Sequence, residues 1–185
     1  MIGRFRVFFG FLAGLLFAWM CHPAPLPRLA LGLAVALAGL LLRGWSAGYL
    51  SKGKRLAQDG PYALLRHPLY AGSFLLGLGF VVAGTHRYYE IHAFIVVAAF
   101  LTLFFGVYPR RIVEEEATLE KTFGDGWRAF VARNSRFLPS FHPYRRDNPD
   151  VFSWPLYRKN REYQAALGWL AGVAVLILKR HFWGA

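Results

Sequence analysis

Five apolar runs, at roughly 7–20, 29–50, 69–84, 91–108 and 164–178, constrain this chain more than any other feature. A helix needs about 20 such residues to cross some 30 Å of hydrocarbon, and most of the runs approach that length, with the third and fourth short of it. A chain of 185 residues that is 56% hydrophobic and only 17% charged is too apolar for an ordinary soluble domain. The expected fold is therefore all-α, a single polytopic integral-membrane helical bundle with about five transmembrane helices and a cytoplasmic helical cap.

The formal net charge of +12 follows membrane topology, which argues against nucleic acid as the partner. Lys52, Lys54, Arg55 and Arg66 fall between the second and third runs, and eleven further Lys or Arg lie from Arg110 to Arg161. The 21–28 and 85–90 connections hold only Arg28 and Arg87. The positive-inside tendency then puts the amino terminus, the 51–67 loop and the 109–162 segment in the cytoplasm, where a basic face attracts anionic lipid headgroups. Five spans leave the carboxyl terminus outside, a poor setting for Lys179 and Arg180.

Arg4 and Arg6 before the first run resemble a secretory signal, but no small-residue cleavage site precedes Cys21 and a second run follows closely, so a retained helix is expected. Pro23, Pro25 and Pro27 cannot continue a helix and turn the first two runs into a hairpin. The lone cysteine excludes an intramolecular disulfide, and the six histidines show no metal-ligand spacing, so no metal is expected. Three glycine pairs spaced by four, Gly10/Gly14, Gly44/Gly48 and Gly168/Gly172, suit close helix approach in lipid. Gly72, Gly77, Gly79 and Gly84 strip bulk from the third run, where either a ligand or a neighbouring helix approaches the backbone.

Two polar clusters stand beside these runs. In Gly60-Pro61-Tyr62 through Arg66-His67-Pro68-Leu69-Tyr70-Ala71-Gly72, a basic loop meets an apolar segment. His67 precedes a proline and is pushed out of helical geometry, which either simply ends a loop or leaves backbone groups at a helix start open to a polar ligand. Tyr62 and Tyr70 flank it with faces suited to a cation or an adenine ring. The second cluster, Arg111 to Leu119, opens an amphipathic stretch in which Ile112, Leu119 and Phe123 recur at helical spacing until Gly124-Asp125-Gly126. Arg111 and Glu115 share a helix face, either as an interfacial ion pair or as part of a site. A short helical stretch from Trp127 to Arg133 follows, and Ser140 to Arg161 reads as an irregular cap.

Gly60-Pro61-Tyr62, Arg66-His67-Pro68, Tyr70 and Gly72, followed by Glu115-Glu116-x-x-Leu119 and Phe123-Gly124, resemble the superfamily of integral-membrane methyltransferases that contains the isoprenylcysteine carboxyl methyltransferases and phospholipid N-methyltransferases. The resemblance covers roughly residues 45–139. It implies an S-adenosyl-L-methionine-dependent enzyme, with the cofactor enclosed on the cytoplasmic side and a lipophilic or lipid-linked acceptor arriving from the bilayer. On this resemblance the chain divides into a helical hairpin (1–50), a cofactor-binding catalytic core (51–139) and a cap with a last helix (140–185). The implied cofactor-binding residues are Tyr62, Arg66, His67, Pro68, Tyr70, Gly72 and Glu116, and the implied catalytic residues are Arg111 and Glu115. Trp127 and Phe130 stand where many members carry tyrosines, and Ser73 stands where eukaryotic-type carboxyl methyltransferases carry Trp, so the acceptor does not carry over.

If the acceptor is a carboxylate or thiolate, Arg111 holds it and Glu115 orients Arg111; if it is an amine, Glu115 is the candidate base. Two other classes share the apolar pattern. A sterol-type NADPH-dependent reductase would need a 2′-phosphate site and a different motif in place of Arg66-His67-Pro68. A non-enzymatic lipid-binding membrane protein would bind no adenosine cofactor.

Overall fold

The computed structural model describes residues 12, 14–140 and 148–183. Residues 4, 6 and 10, the early part of the first apolar run and the 141–147 part of the cap lie outside these. Helix α1 covers residues 14–20 of the first run, and residues 21–25 form the proline turn. Helix α2 (Leu26–Ala47) starts one residue after Pro25 and takes Pro27 into its first turn, where the missing N–H costs nothing. Helix α3 (Pro68–Gly84) begins on the motif proline. Helices α4 (Glu90–Leu101) and α5 (Tyr108–Phe123) join through a π-helical stretch, Thr102–Val107. Helix α6 (Asp125–Arg133), the short α7 (Trp154–Lys159) and α8 (Tyr163–Trp183) complete a bundle with no strand among the described residues.

Three helices are long and apolar enough to span a membrane, namely α2, the continuous Glu90–Phe123 rod and α8. The protein is an integral membrane protein. Helix α3, at 17 residues, is about 26 Å long and falls just short. The Glu90–Phe123 rod, at 34 residues, is about 51 Å, so its apolar part crosses and α5 projects beyond the hydrocarbon.

The sequence placed the end of the fourth run at Tyr108-Pro109, yet the helix continues through it. Proline there lacks an N–H and crowds the carbonyl of Phe105, and the widened turns just before it accommodate both defects. Among the described residues of the expected irregular cap, Trp154–Lys159 form a helix, which Ser153 opens by accepting the Leu156 amide on its Oγ at 3.4 Å.

Antiparallel packing of α2 on α3 forms the centre of the bundle. A Cβ on Gly32 would lie 2.6 Å from the Gly79 carbonyl, one on Gly39 2.6 Å from the Gly72 carbonyl, and one on Gly79 2.7 Å from Ala36 Cα. The two backbones therefore touch, at glycines seven residues apart on each helix. The pairs spaced by four behave otherwise: nothing lies within 4 Å of a Cβ on Gly14 or Gly168, while Gly44, Gly48 and Gly172 accommodate side chains of Tyr157, Phe152 and Phe80. The approach to the third run is thus by neighbouring helices, including Phe100 and Phe104 at Gly77.

The two ends of the bundle differ. At the far end, Lys179 Nζ donates to the carbonyls of Trp19 and Cys21, each at 2.8 Å, and Arg180 donates to that of Ala24. These two cations cap the end of α1 and the proline turn, which explains basic residues at the end of the last helix. The opposite end carries both motifs.

Candidate active site

The backbone of the first motif is shaped by Gly60 at φ +59, where a side chain would also strike the ring of Tyr49, and by the 3₁₀ turn Gly60–Ala63. His67 at φ −124, ψ 60 is outside the helix, as a residue before proline should be. Its carbonyl accepts the amides of Tyr70 and Ala71, both at 3.1 Å, so that group is not open to a ligand. In the second motif Gly124 at φ +51 breaks the chain between α5 and α6. Helix α6 returns the 134–140 segment to the first motif, where Arg66 N donates to Ser135 O at 2.9 Å and Ser140 N donates to Leu64 O at 2.7 Å.

Glu116 joins the two motifs. Its Oε1 receives Arg66 Nη1 and His67 Nε2, each at 3.0 Å, and Arg136 spans both oxygens, with Nη2 at 2.6 Å from Oε2. Arg66 also donates to the Asn134 carbonyl at 2.6 Å. Burial alone would raise the Glu116 pKa, but hydrogen bonds and charge from Arg136 and His67 outweigh it and hold the carboxyl down to about 2. Glu116 is a fixed anion at neutral pH, with both oxygens occupied by the protein itself.

Glu115 is different. It is exposed, and its Oε2 accepts the Tyr70 hydroxyl at 3.0 Å. The Tyr70 ring meets Tyr108 edge-on at 5.3 Å and His67 at 5.7 Å, and the aromatic row continues from Tyr108 to Phe104, Phe100 and Phe74 along α3 and α4. An anion and several aromatic faces therefore lie together at the motif end of the bundle.

Other expected residues sit elsewhere. Arg111 pairs with Glu114 Oε2 at 3.0 Å, one turn along the exposed face, and Glu115 does not orient it, because Tyr70 on the facing helix takes Glu115 instead. Tyr62 is buried, so it presents no open face; burial, then the charges of Glu115 and Glu162, push its phenol pKa up. Pro68 is fully buried, and the open side of Gly72 is filled by Gly39 and Arg43 of α2. Trp127 and Phe130, which stand where many members carry tyrosines, are buried with their ring centroids 5.7 Å apart.

Arg136, Asn134 and the Arg43–Glu162 pair escaped the sequence reading. Arg43 Nε donates to buried Glu162 at 2.5 Å and Nη1 to Ser73, which ties the residue after Gly72 to the start of α8. Arg43 was hidden inside an apolar run, and nothing in the sequence marks Glu162 as its partner. Among the described residues no group of three or more His, Cys, Asp or Glu is arranged to hold a metal ion.

Fold and site together define a helical membrane protein with a two-motif polar site at one end of the bundle. The model of the isoprenylcysteine carboxyl methyltransferase (ICMT) family matches residues 43–121, and the chain belongs to this family. It is 31% identical over 190 residues to the cobalt-zinc-cadmium resistance protein CzcN of Cupriavidus metallidurans, covering 95% of this chain and 79% of the relative. It is 29% identical over 160 residues to the nickel-cobalt-cadmium resistance protein NccN of Alcaligenes xylosoxydans xylosoxydans, covering 82% and 67%. The protein-S-isoprenylcysteine O-methyltransferase of Schizosaccharomyces pombe is 28% identical over 116 residues, 60% of this chain and 46% of the yeast protein. No solved structure matches.

Proposed function

We propose that this protein transfers a methyl group from S-adenosyl-L-methionine to a lipophilic or lipid-linked acceptor, with its active site facing the cytoplasm. The observation that carries the reading is the meeting of two motifs some forty residues apart in sequence, through Tyr70 on Glu115 and through Arg66 and His67 on Glu116. The residues fit the cofactor. Aromatic faces at Tyr70 and Tyr108 beside the Glu115 carboxylate suit a sulfonium cation, and the 134–140 segment lies over the motif as a cover. When bound, the cofactor supplies a methyl group activated for direct displacement, so the protein's task is alignment and exclusion of water.

Each carboxylate then takes its own task. Glu116 is a positioning residue, because a group ionised down to about pH 2 and fully hydrogen-bonded is a poor base at neutral pH. It holds His67, Arg66 and the Arg136 segment in register. Glu115, exposed and oriented by one tyrosine, takes the proton if the acceptor is an amine. Arg111 holds the acceptor if it is an anion, since its surface contact to Glu114 is of the exposed kind that contributes little and exchanges readily. The Phe74–Phe100–Phe104 row offers the acceptor's apolar part a path between α3 and α4.

The test is transfer of isotope-labelled methyl from S-adenosyl-L-methionine into the organic-extractable fraction of a membrane lipid extract. Wild-type protein should label it, and Glu115→Gln should lower the rate at least about a hundredfold with the fold retained. Undiminished transfer by the variant removes Glu115 from the centre, and no labelled product from the wild type contradicts the reading.

A further inference from the structure

At the motif end, but away from the Glu115–Glu116 cluster, the loop after α2 (residues 50–52), α7 and the start of α8 line an open cavity of about 350 Å³. Its wall carries three exposed cations, Lys52, Lys159 and Arg161, together with Asn160 and the apolar Leu50 and Leu156. None of the three cations forms an ion pair among the described residues, and the adjacent acid, Glu162, is buried and paired with Arg43.

The cavity is built and not merely lined. Asn160 Nδ2 donates to the carbonyls of Ala47 at 3.0 Å and Leu50 at 2.8 Å, fixing the end of α2 to the end of α7. Arg161 is at φ +56, the one non-glycine residue at positive φ among those described. That conformation is unfavourable for a side chain with a Cβ, so an arginine there points to a use for its charge.

Position sets the ligand's source. Two helices long enough to span the membrane, α2 and α8, end and begin here, at Ala47 and Tyr163. Trp154 and Tyr163 are exposed beside the cavity, as aromatic side chains are at the headgroup level. Three cations over two leucines at that level match a phosphate ester with an apolar continuation.

We propose that this cavity binds a phosphate ester anion, presented by the headgroup of an anionic membrane lipid. The proposal does not depend on the methyl-transfer reading. It is tested on the full-length protein in detergent by native mass spectrometry with phosphatidylglycerol and, separately, phosphatidylcholine, and by thermal unfolding with inorganic phosphate. The wild type should retain phosphatidylglycerol in preference to phosphatidylcholine. Lys159→Gln combined with Arg161→Gly should weaken that retention about tenfold or more, while glycine at φ +56 leaves the unfolding temperature unchanged or raised. Lys52→Gln, in the separate loop after α2, should weaken it in the same direction.

Stabilisation by inorganic phosphate that the double variant loses would support the phosphate site and assign it to a soluble phosphate ester. Equal retention of phosphatidylglycerol by wild type and both variants overturns the proposal, as does binding of neither lipid nor phosphate.

Discussion

Both ends of this bundle collect cations, imidazoles and tyrosines, and they use them in opposite ways. At the far end Lys179 and Arg180 donate to backbone carbonyls, Arg28 donates to Thr85 at 2.7 Å, and His22 stacks on Tyr89 at 3.6 Å. Burial and the positive charge of Lys179, with His92 and His86, lower the His22 pKa there. At the motif end Arg66, His67 and Arg136 gather on the Glu116 carboxylate, whose pKa Arg136 and His67 lower against the effect of burial. The first arrangement repels further positive charge and closes a helix end; the second stores a fixed anion beside aromatic faces. Residue counts alone do not separate these two, and only the carbonyl or carboxylate partner does.

The comparison is broken most severely by disturbing the seam that holds both ends in register. Gly79→Val places methyl groups into the backbone of Ala36, and we expect a loss of about 3 kcal/mol or more, read as loss of folded protein in detergent unfolding. Gly168→Val, with open space around it, should change stability by no more than about 0.5 kcal/mol. Equal effects at the two sites would contradict backbone contact as the organising interaction.

Glu116→Gln is the next largest. Removing the charge leaves Arg66 and Arg136 side by side, with an expected loss on the order of 2 kcal/mol after allowance for water on the open side. The same residue sets a pH dependence. A carboxyl lowered from 4.5 to about 2 binds its proton more weakly folded than unfolded. Its stabilisation is full above pH 4.5 and is lost as pH falls toward 2. His22, lowered from 6.5, begins to cost stability as pH falls below 6.5, because the unfolded chain takes the proton more readily. Acid unfolding curves should flatten in the lower window for Glu116→Gln and in the upper one for His22→Gln, and a single shared window would erase the distinction between the ends. Lys179→Met is expected to cost less than Glu116→Gln, about 1 kcal/mol from two lost hydrogen bonds to carbonyls.

Much of this was legible in the sequence, and for physical reasons. Apolar runs fixed the helices because lipid leaves the backbone no other partner, and Gly60, Pro68 and Gly124 marked turns that side-chain chemistry dictates. The two motifs also pointed to one site. What stayed hidden depended on distance in sequence. The seam uses glycines seven apart, a spacing that only the facing helix reveals, and Arg136 reaches Glu116 only because α6 folds the chain back. Arg111 was paired with Glu115 by helical spacing, but positions three and four along are equally close, and a tyrosine from another helix decided the matter.

The central claim is that the two motifs form a cofactor site, and calorimetric binding of S-adenosylhomocysteine to the detergent-purified protein tests it most directly. Micromolar binding that His67→Ala weakens at least about tenfold, with no binding of NADPH, is the predicted result. Binding of NADPH in its place, or S-adenosylhomocysteine affinity that is unchanged in the His67→Ala variant, would contradict it.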